Sequence, residues 1–442
     1  ESLIITIGYI AGADFHTDPT NGDNLKNSKP DKYYANLNFS DFETNAIWAA
    51  KVYDNPDLPD YPCGDGEPDF TGPPPPPVPS LNYGSPSLST LGFETQKGKV
   101  KVKWNGKLSE KSRDSFSARK DFEGYRLYMS RTGKNDDYAL LGSYDNIDYK
   151  IYQRNRNRTG SPWEWKAAAV TSDSLGSWLN TRGFGGMKIG DDPTLYSQNN
   201  PFVIKELVNP FYIRLSDSVD VKGGYAVAYD SIKLESFDSL YFQANDWNVG
   251  FQDIIADPAY RDSVDGGLVK GDTSDRYWDY QKEVEVFPAQ AMYFSVTAFD
   301  QGDPQTGLSP LEASRQINAT LVYPLDNWDQ VKAEDLKVVV YPNPYRIDGN
   351  YDVNGYEEGG TYGKRIRFAN LPPRCTIRIY TLDGDLVKEI DHEKDPQALD
   401  ATVGEWDLIS RNTQAVVSGI YLFSVEDKES GKNQVGKFVI IK

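Results

Sequence analysis

The run Asp348-Gly349-Asn350-Tyr351-Asp352-Val353-Asn354-Gly355 sets side-chain oxygens at alternate positions. A hard cation such as Ca²⁺ takes about six to eight oxygens from one short loop, so Asp348, Asn350, Asp352 and Asn354 form a candidate calcium loop. The run departs from the EF-hand pattern: its glycine comes late, and the twelfth position is Gly359 instead of Glu. A second acidic cluster, Asp57, Asp60, Asp65, Glu67 and Asp69, offers the same chemistry, and Asp300 with Asp303 offers it in a turn. Such runs are more commonly solvated acidic surface than metal sites.

Other chemistry is thinly represented. Cys63 and Cys375 can form one disulfide in an oxidising compartment, but no CxxC or Cys/His spacing suggests zinc. The two histidines, His16 and His392, are expected in polar loops far apart in the sequence, and a triad needs its members in one pocket. Paired carboxylates of the glycosidase kind are abundant without any spacing that singles one pair out. No G-x-S-x-G or H-E-x-x-H motif occurs. The GFGG at Gly183 lacks the strand-then-helix setting of a phosphate loop and reads as a turn. Trp163, Trp165 and Trp178 lie close together in sequence; exposed indoles can stack on sugar rings, although large aromatics are more often core.

The elements that carry these residues are mostly strands. The chain has 442 residues, enough for about two to four domains. Tyr is frequent at 29, which favours pleated surfaces, and 37 Gly with 27 Pro supply turns. The net charge of −18 argues against nucleic acid, since phosphates would be repelled. No apolar run is long enough to span a bilayer as a helix. Ser2–Ile10 alternates as a strand, and a lone strand needs a sheet partner, so it is expected to end an upstream domain or to pair with a neighbouring subunit. One short helix is predicted from Ser40 to about Asp54: Ser40 and Glu43 have capping-box spacing, and Phe42, Ala46, Ala49 and Ala50 make a stripe. The proline run in TGPPPPPVP is expected to act as a semi-rigid spacer.

Lys99–Trp104 alternates Val100, Val102 and Trp104 against three lysines, and Phe122–Ser130 and Ala291–Asp300 continue the period of two. With GYRLYMS, FSVTAFD and the closing SPLEAS, these stretches resemble a fibronectin type III domain over about a hundred residues. Met292 falls where that family usually has Tyr, with Tyr293 shifted by one. Residues 146–287 read as a β-rich insertion in that sandwich, and insertions on loops at one end are where function tends to sit.

From Leu336 onward the chain contains Tyr341-Pro342-Asn343-Pro344, a hairpin at Asp383-Gly384 within Leu382–Val387, Trp406-Asp407, Ser418-Gly419-Ile420-Tyr421 and a terminal strand at Lys437–Lys442. These pieces resemble the C-terminal sorting domain of type IX secretion substrates and the immunoglobulin-like domain of flagellar hook-capping proteins. The resemblance implies export across an outer membrane and display at, or release from, the cell surface.

The expected architecture is all-β, with tandem immunoglobulin/fibronectin-like sandwiches. It comprises an upstream remnant with one short helix (1–55), a Pro-rich acidic linker (56–90), the sandwich with its insertion (91–320), a connector (321–335) and the C-terminal domain (336–442). The expected function is non-enzymatic: an extracellular structural or adhesive protein, in a concrete version a filament or sheath subunit, whose partners are its own copies or other surface proteins. The alternative is the non-catalytic tail of a secreted hydrolase whose insertion binds polysaccharide. No cofactor beyond calcium is expected.

Overall fold

The computed structural model describes residues 9–12, 15–53, 72–81, 90–114, 120–154, 162–171, 193–205, 207–214, 231–262, 267–269, 276–288, 290–304, 308–352, 356–357 and 363–442. The fold is mostly β, in several antiparallel sheets with a few short helices.

Period-two patterning builds the central sandwich. Strands β1 (Gly92–Gln96), β2 (Lys99–Asn105), β3 (Phe122–Ser130) and β4 (Ala139–Asp145) come first in the chain, and β14 (Asp279–Glu285), β15 (Met292–Asp300) and β16 (Thr320–Val322) follow much later. They form two sheets, ordered β1-β2-β14 and β16-β15-β3-β4. Val100, Val102 and Trp104 are fully buried. The lysines on the other face of β2 pair with acids on both neighbouring strands: Lys101 and Lys103 with Glu94, and Lys99 with Glu283. Trp104 stacks on its cross-strand neighbour Tyr280 at 5.8 Å within one sheet and meets Tyr125 of the other at 5.9 Å, so the two sheets interlock there. Full burial of a large apolar side chain contributes about 1.5–3 kcal/mol.

Strict alternation fails on β3 and β15, where Tyr128, Ser130, Ser295 and Thr297 are also buried. The segment after β15 covers that second face. Buried Asn318 accepts from Ser295 Oγ at 2.9 Å and from the Val296 amide at 3.2 Å, and donates to the Val296 carbonyl at 2.8 Å. Glu312 accepts from Tyr128 and Thr297 at 2.8 and 2.7 Å and pairs with Arg126 at 2.6 Å. SPLEAS is therefore not the closing strand. It touches β15 through the isolated bridge Phe299↔Glu312, and Thr320–Val322 closes the sheet against Met292–Phe294.

The proline run differs from the expected spacer over its described part. Val78 and Ser80 are buried, Ser109 Oγ donates to the Pro77 carbonyl at 2.7 Å, and Asn318 Nδ2 donates to that of Pro79 at 3.3 Å. An extended Pro-rich chain has free carbonyls, and here polar side chains of the sandwich take them up.

Between β4 and β14 the chain forms a lobe. It contains β5 (Asp148–Arg154), β6 (Glu164–Thr171), β7 (Phe202–Val203), β8 (Phe211–Arg214), β9 (Ser231–Leu234), β10 (Ser239–Ala244), β11 (Tyr260–Asp262), β12 (Leu268–Val269) and β13 (Arg276–Tyr277). The sheet β6-β5-β10-β7 and the β8-β9 hairpin share a core that includes Ile151, Val170, Ile204, Ile213, Leu234 and Phe242. Ile254 and Phe251, late in the lobe, pack instead into the sandwich core.

The C-terminal body holds β17 (Val339–Tyr341), β18 (Tyr345–Arg346), β19 (Ile366–Ala369), β20 (Arg374–Thr381), β21 (Leu386–Glu393), β22 (Val403–Trp406), β23 (Gly419–Asp427) and β24 (Asn433–Ile441). Its sheets, β17-β19-β22 and β18-β24-β23-β20-β21, enclose Phe368, Ile377, Trp406, Phe423 and Phe438. The hairpin at Asp383-Gly384 forms, with Gly384 at φ 95°. A tyrosine hydroxyl bonded a few residues upstream, expected of such sandwiches, occurs here: Tyr421 donates to the Val417 carbonyl at 2.8 Å.

Helices are more numerous than the single one predicted. Alongside α3 (Ser40–Tyr53) stand α1 (Gly22–Lys26), α2 (Pro30–Ala35) and α4 (Trp328–Ala333). A capping box is found on α4, between Asn327 and Gln330; the side chain of Ser40, which carries the predicted one, lies outside the described residues. Phe42 of the predicted apolar stripe is 43% exposed. Most of the predicted Ser2–Ile10 strand, up to Gly8, lies outside the described residues, and so does the question of its pairing.

Candidate functional site at one end of the sandwich

Register brings three long connections out at the same end. Asn105 pairs with Asp279, Gly124 with Asp145, and Phe122 with Asp300. Residues 106–121, 146–278 and 301–319 therefore all leave from strand termini that lie together, and the lobe is hung there. Glu110, in the first connection, ties the two sheets by accepting from Tyr125 at 3.1 Å and Tyr280 at 2.7 Å.

Acidic side chains collect at this end. Asp145 latches the lobe by accepting from the amides of Asn248 and Val249 at 2.7 and 2.8 Å. Asp246, at φ 63°, accepts from Ser143 at 2.9 Å and pairs with Arg126 at 3.0 Å. Asp300 accepts from the amides of Gly302 and Leu311 at 2.9 and 2.8 Å. Burial, then the neighbouring carboxylates, pushes Asp121 up to about 7. Burial also pushes Asp148 and Asp300 up to about 6. Glu123 is pushed furthest, to about 10, by burial and then by Asp148 and Asp145. It is 1% exposed, and among the described residues neither carboxyl oxygen has a hydrogen-bond partner. Sequence reading missed Glu123, although a lone acid in the run Phe122-Glu123-Gly124-Tyr125 is itself a signal of a buried charge.

The lobe presents aromatics beside this end. Tyr152 and Tyr241 are cross-strand neighbours with rings 4.6 Å apart and nearly parallel at 2°. Trp163 packs edge-on to Tyr241 at 4.8 Å. Trp165 lies opposite Tyr152 on β6, its indole N–H spent on the Ala167 carbonyl at 2.7 Å. Lys150 Nζ stands 5.2 Å from the Trp165 ring centroid, and a Cβ built on Gly302 would come within 3.1 Å of that indole. Trp163 and Trp165 are thus brought near each other, both half-buried; Trp178 lies outside the described residues. The two tyrosines were not foreseen, though they fall on the same period as the tryptophans. On the other side of β5 a cavity of about 290 Å³ is lined by Gln153, Glu164, Lys166, Lys233, Glu235 and Asp238. Gln153 and Asp238 bond to each other at 2.9 Å there, and Lys233 pairs with Glu235 at 2.6 Å.

The other predicted site residues are scattered. Asp348 is bound by the Arg346 guanidinium at 3.0 and 2.9 Å, which holds its carboxyl below the usual range. Asn350 sits at φ 49°, and Asn354 is outside the described residues. Asp57, Asp60, Asp65, Glu67, Asp69, Cys63 and the GFGG at Gly183 are also outside them. Cys375 is a buried thiol on β20 with no disulfide among the described residues, its pKa pushed up to about 12 by burial. His16 bonds Asn21 at 3.1 Å near α1. His392 is no loop residue: it is buried on β21, bonded to the Ala401 carbonyl at 2.8 Å, and burial lowers its pKa. No group of three or more His, Cys, Asp or Glu among the described residues stands where it would hold a metal. No described helix is long and apolar enough to cross a membrane.

No family model and no curated protein matches this chain. Among solved structures it is distantly similar to bacterial surface proteins. PorZ, a surface component of the type IX secretion system of Porphyromonas gingivalis, aligns at 12% identity and TM-score 0.20, over 86% of this chain and 48% of that one. Dimeric latent PorU from the same organism aligns at 14% and 0.17, over 85% and 35%. The adhesin domain of Epf from Streptococcus pyogenes aligns at 9% and 0.16, over 83% of each. The chain thus spans about half or less of the two Porphyromonas structures. At TM-scores this low the molecules do not superpose as one fold, and the likeness goes no further than strand-rich bodies found on bacterial surfaces.

Proposed function

We propose that this chain is a non-catalytic structural or adhesive module displayed outside a bacterial cell. The supporting observation is the way the lobe is mounted. A sandwich whose two sheets interlock through Trp104, Tyr125 and Tyr280 carries all three long connections at one end, which is how a rigid scaffold holds a contact surface. The C-terminal pieces that resemble a type IX sorting domain fall on a well-packed sandwich, consistent with export and surface display. The partner is another copy of the chain or another surface protein. Sedimentation velocity of the full chain, with and without extracts of cell-surface protein, tests this. Turnover of a substrate by the purified chain would overturn it.

A second reading is favoured by Tyr152, Tyr241, Trp163 and Trp165, which gather on one region of the lobe. Aromatic side chains flanked by Lys150 and Arg154 suit the apolar faces and hydroxyls of a polysaccharide. Retention of the full chain on insoluble glycans, abolished by Trp163→Ala, would favour this version. Retention unchanged by that substitution would remove it.

A further inference from the structure

Glu123 poses an electrostatic problem that the surrounding residues leave unsolved. Both oxygens are buried without a partner among the described residues, and the Asp148 carboxylate beside it is met by the Asn245 side chain. Asp148 is 3% exposed and Asn245 1%. An ionised carboxylate in such a place is strongly unfavourable unless a positive charge meets it. Of the charges that act most strongly on Glu123, Asp148, Asp145 and Asp246 are acidic and only Lys150 is basic. The Lys150 ammonium is a poor counter-ion: among the described residues it forms no ion pair with these acids, and it stands against the Trp165 ring. Arg126 is already committed to Asp246 and Glu312. Protonation removes the charge from Glu123 but leaves a buried O–H and a buried carbonyl unpaired, which is still unfavourable. A cation meets both requirements at once.

We propose that this junction between sandwich and lobe binds one Ca²⁺ through Glu123 and Asp148. With no third acid converging among the described residues, neutral oxygens from backbone, amide side chains and water complete the shell. Calcium tolerates such an irregular, carboxylate-poor shell, whereas Mg²⁺ demands a regular octahedron. The expected affinity is that of weak extracellular modules, on the order of 0.1–1 mM. The bound ion would fasten β3, which begins at Phe122, to β5, which begins at Asp148. It would thereby set the lobe on its scaffold beside the Asp145 latch.

The test is thermal unfolding of the full chain at neutral pH, in EGTA and then in about 10 mM CaCl2 or MgCl2. Calcium is expected to raise Tm by about 2–5 °C, and magnesium to raise it less. Glu123→Gln is expected to abolish the calcium rise, while Asp348→Asn in the exposed loop leaves it intact. If Glu123→Gln does not fold, Asp148→Asn is read in its place with the same expectation. No calcium response in the unmodified chain overturns the proposal and leaves Glu123 a buried neutral acid. A response removed by Asp348→Asn and kept by Glu123→Gln overturns it equally.

Discussion

Glu110 and Glu123 are both carboxyls raised by burial, yet among the described residues only Glu110 has donors, the hydroxyls of Tyr125 and Tyr280. Removing Glu110 takes a shared acceptor from two buried tyrosine hydroxyls at the loaded end of the sandwich. Glu110→Ala should lower stability by about 1–3 kcal/mol in urea unfolding, with the slope unchanged. The acids at the loaded end also predict a pH dependence. Asp148 and Asp300 move from 3.8 to about 6, and Asp121 to about 7. The folded state therefore holds more protons than the unfolded chain between these values, and stability falls as pH rises through that window. In EGTA, Tm should be higher at pH 5 than at pH 7, and Asp148→Asn should flatten the difference. A Tm that climbs steadily from pH 5 to pH 7 in the unmodified chain would contradict these shifts.

Single strands show which side chains hold the C-terminal body together. Phe438 is fully buried on β24 and meets Phe368, Trp406, Tyr421 and Phe423. Phe438→Ala should cost about 3–5 kcal/mol, since it loses both burial and packing. Arg378 on the neighbouring β20 bridges Glu389 and Glu426 at 2.6 and 2.7 Å on the solvent face. Arg378→Ala should cost less than about 1 kcal/mol despite that ideal-looking geometry, because water screens exposed pairs. Chemical denaturation of the two variants side by side separates core from decoration. Gly124 is fixed for a different reason: a Cβ there would come within 2.3 Å of the Tyr144 carbonyl, so Gly124→Ala should loosen the β3–β4 pairing.

Across the whole molecule, three separate groups of buried side chains correspond to sandwich, lobe and C-terminal body. The C-terminal body touches the sandwich side through Leu399, which packs against the sandwich core, and through Tyr323, just after β16, which donates to Glu405 at 3.3 Å. These are few beside its own interior. A fragment of residues 325–442 should therefore unfold in one cooperative step by circular dichroism. A broad, non-cooperative melt would show that its core leans on the sandwich. The lobe is different, since Phe251 and Ile254 belong to the sandwich core, and its excision should destabilise what remains.

Local patterning sufficed for the strands Lys99–Asn105, Phe122–Ser130 and Met292–Asp300, for α3 and for the Asp383-Gly384 hairpin, because period and turn chemistry act over a few residues. The mostly β class follows from the same local rules. Burial on the second face of β3 and β15 had to come from tertiary structure, since Asn318 and Glu312 reach it from a distant stretch of chain. The docked proline run, the grouping of Tyr152 with Tyr241 and the gathering of acids around Glu123 share that origin. Each depends on which strand ends meet, and pairings between residues far apart in the chain leave no trace in the spacing of neighbours.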